Sequence, residues 1–209
     1  MSEEFIHRRR RVLLGCTGSV ASIKLRDLHR ALSTHYDVRS VATSRALHFI
    51  QEDCKAQESN TEKVGDMKKV GDMEKVGDME ILTDADEWRW SSRGDDVLHI
   101  SLTHWADLLI IAPLSANTLA KIAQGLCDNL LTCVVRAWNV KKPLILAPAM
   151  NTAMWVNPLT ARHLQLVQEV YGGRTRILSP VEKRLVCGDI GVGAMCSVES
   201  IVEAVSSAF

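Results

Sequence analysis

No stretch of this chain is suited to crossing a membrane or directing secretion. Four arginines, Arg8 to Arg11, are followed by strand-like Val12-Leu13-Leu14, far too short for a signal core or for the ~20 apolar residues of a spanning helix. No charge of one sign predominates: 25 Lys and Arg face 25 Asp and Glu, which removes the basic excess that a nucleic-acid surface needs. No two of the six cysteines are spaced Cys-x-x-Cys, and Cys16, Cys127 and Cys133 lie among apolar residues. Without a secretory signal, that pattern reads as buried thiols, with neither a disulfide framework nor a structural metal. The expectation is a soluble, cytoplasmic protein with no nucleic-acid, membrane or metal partner.

What is present is a regular alternation. Residues 11–16 read as a strand, 20–35 as a helix with Ile23, Leu28, Ala31 and Leu32 on one face, and 37–43 as a second strand. Aliphatic runs at 106–112 and 143–147 follow, each trailed by helical sequence, with residues 127–138 between them; 174–178 is a last short strand and 197–208 a closing helix. Short apolar strands separated by helical crossovers predict an α/β fold with a doubly wound parallel sheet. At 209 residues the chain fits a single domain, 1–209.

One segment breaks the alternation. Val-Gly-Asp-Met recurs at 64–67, 70–73 and 76–79, each copy preceded by lysine, within an insertion at about 62–80. Three charged hexapeptides without a stacked aliphatic ladder bury no core, so a solvated surface loop is expected. Long surface insertions carry little thermodynamic penalty.

In an open parallel sheet, ligands sit beyond the carboxyl ends of the strands. Two strand ends carry similar polar runs here: Pro113-Leu-Ser-Ala-Asn-Thr118, and Pro148-Ala-Met-Asn-x-x-Met-Trp155. Ser, Asn and Thr at such junctions are also common helix caps, and that reading stays open for the first run. The first strand ends in Gly15-Cys-Thr-Gly-Ser-Val-Ala-Ser22, where free N–H groups at a helix start favour a phosphate. With two glycines and no acidic residue ending the second strand, it departs from the dinucleotide fingerprint and suits a mononucleotide better. Thr43 and Ser44 offer further hydroxyl donors or, equally, a helix cap. Cys187 differs from the other thiols, because Leu185-Val-Cys-Gly-Asp189 lies in a glycine-rich loop.

Gly18-Ser19-Val20-Ala21, His99 within Leu98-His99-Ile100, the runs at 113–118 and 148–155, and Cys187-Gly188-Asp189 occur in an order that resembles the flavin-dependent cysteine decarboxylases. The similarity is strongest to the phosphopantothenoylcysteine decarboxylases of coenzyme A synthesis. It spans nearly the whole chain apart from the repeat and the first ten residues.

The resemblance implies a flavodoxin-like fold that binds FMN, assembled as a homotrimer with active sites at subunit contacts. It implies conversion of 4'-phosphopantothenoylcysteine to 4'-phosphopantetheine: the cysteine thiol is oxidised to a thioaldehyde, carbon dioxide leaves, and the enethiolate is reduced again. His99 then corresponds to the active-site histidine, in a setting that reads as strand, and Cys187 to the acid that protonates the enethiolate. Gly188, Gly191 and Gly193 would let the loop around Cys187 close over substrate. Asn151 and Met154 correspond to substrate contacts. Expected FMN contacts are Gly18, Ser19, Val20, Thr43, Ser44, Ser115, Ala116, Asn117, Thr118 and Met150. Trp155 packs either on the ligand or in the core; His48 and His104 match nothing in the family. Other relatives serve as inhibitory subunits of a protein phosphatase, with acidic tails or a missing catalytic residue. Here His99 and Cys187 are both present and no acidic tail occurs.

Overall fold

The computed structural model describes residues 8–58, 67–70, 73–76, 79–184 and 190–209. Its centre is β1 (Arg11–Cys16), paired in parallel with β2 (Asp37–Ala42) on one side and β6 (Leu108–Leu114) on the other. A 3-10 turn (Val20–Lys24) runs into α1 (Leu25–Ser33) between β1 and β2, and α2 (Ser44–Glu58) follows β2. Three four-residue strands come next: β3 (Met67–Val70), β4 (Met73–Val76) and β5 (Met79–Leu82). The short α3 (Asp84–Glu87) and α4 (Leu98–Trp105) lead to β6, and α5 (Ala116–Gln124) and α6 (Leu130–Arg136) to β7 (Leu144–Pro148). After β7 come α7 (Thr152–Trp155), α8 (Pro158–Tyr171) and β8 (Thr175–Ile177). A two-stranded pair, β9 (Val181–Arg184) and β10 (Ile190–Ala194), precedes the closing α9 (Val198–Ser206).

The main sheet has the order β3-β4-β5-β2-β1-β6-β7-β8, parallel from β5 to β8 and antiparallel at the β3-β4-β5 edge. The period of two in each strand divides the core. Val12, Leu14 and Cys16 of β1, with Leu108, Ile110 and Ala112 of β6, face one layer completed by Leu25, Leu28 and Leu32 of α1, Ala46 and Ile50 of α2, and Ile201 and Val205 of α9. Leu13, Leu109, Ile111 and Leu114 face the other, against Leu102 of α4, Leu119 of α5, Leu131 and Val134 of α6 and Val167 of α8. Helices thus cover both faces, which is why the strands read as continuous apolar runs. Burial pushes the Cys16 thiol up to about 12, keeping it an uncharged part of that core.

Three expectations change. The described residues of the repeat region are paired strand: β3, β4 and β5 form an antiparallel meander whose last member adds to the sheet beside β2, Ser40 opposite Ile81. Each strand begins at the methionine closing one Val-Gly-Asp-Met copy, and Met79, the last of them, is buried with Ile81 in the first core layer. Four strand residues separated by Gly-Asp is a hairpin period, the signal that composition alone overlooked. His99 is helical, in α4, because Leu98, Leu102 and Trp105 pack inward at helical spacing. Cys127 is exposed, whereas Cys16, Cys54 and Cys196 are buried.

Because Met79 fills core volume beneath β2, Met79→Ala is expected to lower the unfolding free energy by about 2 kcal/mol or more. Denaturant titration measures it; a change within experimental error would return the third repeat copy to the status of a surface loop.

Candidate active site

The chain runs β1, β2 and β5 to one side, then crosses back to place β6 on the other side of β1, so the switch point lies between β1 and β6. The loops leaving these two strands are joined by Thr17, which has no solvent exposure. Its N–H and Oγ1 both donate to the Pro113 carbonyl, at 3.1 and 2.9 Å, and Oγ1 accepts from the Ser115 N–H at 2.7 Å. Ser22 Oγ donates to the Thr17 carbonyl at 2.8 Å, closing the first loop on itself. Thr43 N–H donates to Cys16 O, which brings the end of β2 alongside.

Three helix starts therefore meet at this edge: the turn beginning at Val20, α2 beginning at Ser44, and α5 beginning at Ala116. The first N–H groups of each have no partner within the helix and carry the positive end of its dipole. Ser19 accepts from Ala21 N–H, Thr43 from Ala46 N–H and Ser115 from Thr118 N–H, so these side chains act as helix caps. Capping draws on their acceptor oxygens, and a hydroxyl keeps a donor hydrogen besides. At Gly18, an added Cβ would lie 2.6 Å from Arg45 Cβ, so only glycine lets the first loop lie against the start of α2. Ser44 and Asn117 are exposed, while Ser115 and Thr118 are buried beneath them. This donor set fits the phosphate of FMN: it is built of N–H and O–H groups, and none of the residues expected there is acidic.

The β7 end forms the adjoining wall. Asn151 caps α7, its Oδ1 accepting from Ala153 N–H at 2.8 Å, so donation by its amide falls to Nδ2. Met154 is half exposed, and its carbonyl accepts from Thr160 Oγ1 at 2.6 Å. Trp155 is partly buried. Met150 is buried, and its N–H donates to Gly193 O at 2.9 Å, which seats β10 on this wall. A Cβ at Gly193 would lie 2.2 Å from Met150 O, and one at Gly191 2.5 Å from Thr152 Oγ1. These glycines thus serve close packing of β10, in place of the loop closure expected from sequence. Cys187 and Gly188 lie outside the described residues; the strands bracketing them are paired, Arg184 opposite Ile190.

His99 belongs to a different local unit, the α3–α4 corner packed on α6. Glu87 receives its Nδ1 at 2.5 Å and its backbone N–H at 3.1 Å. Around it Trp88, Trp90, Val97 and Ile100 are exposed. Sequence reasoning missed Thr17 and Glu87 as supports. Thr17 lay inside a recognised motif, but nothing in the sequence shows which hydroxyl turns inward; Glu87 is twelve residues from the histidine it holds. Among the described residues no cluster of His, Cys, Asp or Glu could hold a metal, and no helix is long and apolar enough to cross a membrane.

Comparison with known proteins bears on the family and the fold. The Flavoprotein family model matches residues 2–209. A phosphopantothenoylcysteine decarboxylase of Oryza sativa subsp. japonica is 51% identical over 88% of this chain and 74% of its own length. One of Mus musculus is 47% identical over 96% of this chain and 87% of its own. Among solved structures, a PPC decarboxylase mutant complexed with pantothenoylaminoethenethiol superposes with a TM-score of 0.80 at 45% identity, covering 96% of this chain and 98% of that one. The FMN binding protein AtHal3 superposes at 0.77 and 46% identity, covering 96% of each chain. With its sheet order, strand-end loops and full-length family match in place, the chain belongs to the Flavoprotein family, and phosphopantothenoylcysteine decarboxylases are its relatives.

Proposed function

We propose that the chain is an FMN-dependent phosphopantothenoylcysteine decarboxylase, which converts 4'-phosphopantothenoylcysteine to 4'-phosphopantetheine. The observation that carries this reading is near-complete coverage at 45% identity of a PPC decarboxylase complexed with an enethiol, a compound of the type that decarboxylation would form. When bound, FMN would supply the redox chemistry, as a two-electron acceptor and donor. The protein's own residues bind, orient and move protons.

Gly18, Ser19, Val20, Thr43, Ser44, Ser115, Ala116, Asn117 and Thr118 hold the cofactor at the β1–β6 switch point, with Met150 beside it. Asn151 holds the substrate carboxylate through a neutral amide, which orients the group without fixing its charge as strongly as a cation would. Met154, half exposed at the same wall, packs against the substrate. His99 takes a proton from the substrate thiol, and Cys187 gives one to the enethiolate. The chain acts as a homotrimer with its active sites at subunit contacts. Supporting this, Trp88 is 83% exposed and Ile100 38%, large apolar side chains flanking the histidine where a partner would cover them. A cytoplasmic location suits Cys16, Cys127, Cys133 and Cys196, which are free thiols.

His99→Asn is expected to retain FMN, read from its visible absorbance, while carbon dioxide release from 4'-phosphopantothenoylcysteine falls by about 100-fold or more. Activity within a few-fold of the unaltered protein would defeat the assignment. Ile100→Arg is expected to lower the solution mass from trimer to smaller species in sedimentation experiments, and an unchanged mass would move the subunit contact elsewhere. Gly193→Ala would bring a Cβ to 2.2 Å from the Met150 backbone oxygen and so shift β10, and kcat/KM is expected to drop by about 100-fold with flavin still bound. Normal kinetics in that variant would show that the seating of β10 does not matter for turnover.

A further inference from the structure

The decarboxylase reading gives His99 a proton to move but says nothing of what holds the imidazole in the tautomer that can take it. A neutral imidazole has one donor and one acceptor nitrogen, and the group bonded to one nitrogen decides what the other can do.

Glu87 approaches His99 in two ways at once: one carboxylate oxygen accepts from its backbone N–H at 3.1 Å, and the other lies 2.5 Å from Nδ1. A carboxylate has no hydrogen to donate, so the hydrogen in the second contact belongs to Nδ1. The first contact has an independent cause. His99 is the second residue of α4, its N–H is among those the helix itself leaves unpaired, and Val97 at the N-cap position makes no side-chain capping bond.

The support beneath Glu87 is rigid. It is the last residue of α3, a turn closed by Asp86 Oδ2, which accepts from Thr83 N–H at 2.7 Å and from Thr83 Oγ1 at 2.9 Å. Arg89 pairs with Asp86 Oδ1 at 3.1 Å. At the other end of α3, Asp84 Oδ1 accepts from Leu130 N–H at 2.8 Å, locking the turn to the start of α6. The Glu87 and His99 side chains are only 15% and 24% exposed, so water competes weakly for the contact.

We infer that Glu87 is a positioning residue for the reaction. It keeps the hydrogen of His99 on Nδ1, so that Nε2 is the acceptor presented to the substrate, and its negative charge balances the imidazolium formed on proton transfer. In that transfer the S–H bond breaks, the Nε2–H bond forms, and the electron pair stays on sulfur as a thiolate. The inference rests on the proposed role of His99.

Glu87→Gln tests it, because the amide keeps the shape and one oxygen. With that oxygen on the His99 backbone N–H, the amide N–H₂ faces Nδ1 and donates to it, moving the ring hydrogen to Nε2. In the FMN-loaded protein labelled with ¹⁵N-histidine, His99 signals assigned by their loss in His99→Asn are expected to show a protonated Nδ1 in the unaltered protein and a protonated Nε2 in Glu87→Gln. The kcat for carbon dioxide release from 4'-phosphopantothenoylcysteine is expected to fall by about 100-fold, with KM, flavin content and melting temperature little changed. Glu87→Ala, which removes both acceptors, is expected to lose the preference between tautomers. A Glu87→Gln protein with unaltered kcat would overturn the inference, and so would one whose loss of rate matches a loss of flavin or of folded protein. If His99→Asn is itself active, the role of His99 has failed; if His99→Asn is inactive and Glu87→Gln is not, only the role of Glu87 has failed.

Discussion

Three hydrogen bonds at Thr17 tie together the two loops from which the site is built. The Thr17 side chain and N–H converge on the carbonyl of Pro113, and the same hydroxyl receives the Ser115 N–H. Adjacent parallel strands alone would leave their following loops to diverge into separate helices. Here a buried hydroxyl, satisfied as donor and acceptor, holds the β1 loop against the β6 loop at the point where the winding direction reverses. The starts of two helices are thereby held side by side, and the end of β2 adds a third through Thr43.

The second wall depends on close approach more than on polar bonding. Met150 N–H meets Gly193 O, and the absence of a side chain at Gly193 and Gly191 lets β10 lie directly on the β7 loop. The segment bearing Cys187 is thus bracketed by a strand pair seated next to Asn151. The histidine corner is built from other elements: α3 and α4 lean on α6, and exposed apolar side chains follow Glu87 and flank His99 in sequence.

The sheet, and the strand ends that carry polar loops, were legible in the sequence. The alternation of aliphatic strands with amphipathic helices located the sheet because burial on both faces leaves a continuous apolar run, as at residues 108–112. The polar runs after β6 and β7 stood out because strand ends in such sheets face ligands. Less legible was α4, whose mixed polar and apolar residues carry little periodicity, so His99 read as strand. The repeat misled for a different reason: its charged composition argued for solvent, whereas its spacing, four residues and then Gly-Asp, is that of successive hairpins.

The sequence by itself determined the fold class, the strand-end motifs and the family, since each rests on local pattern and order along the chain. It also supplied the residue types proposed to bind phosphate and move protons. Tertiary structure alone decided which of these groups are held and by what: Thr17 is 96 residues from the Pro113 carbonyl it joins, Glu87 twelve residues from His99, and Met150, just after β7, meets Gly193 of β10. No local pattern encodes such pairings, because a buried hydroxyl or carboxylate finds its partner only when the sheet has brought distant loops within hydrogen-bonding distance.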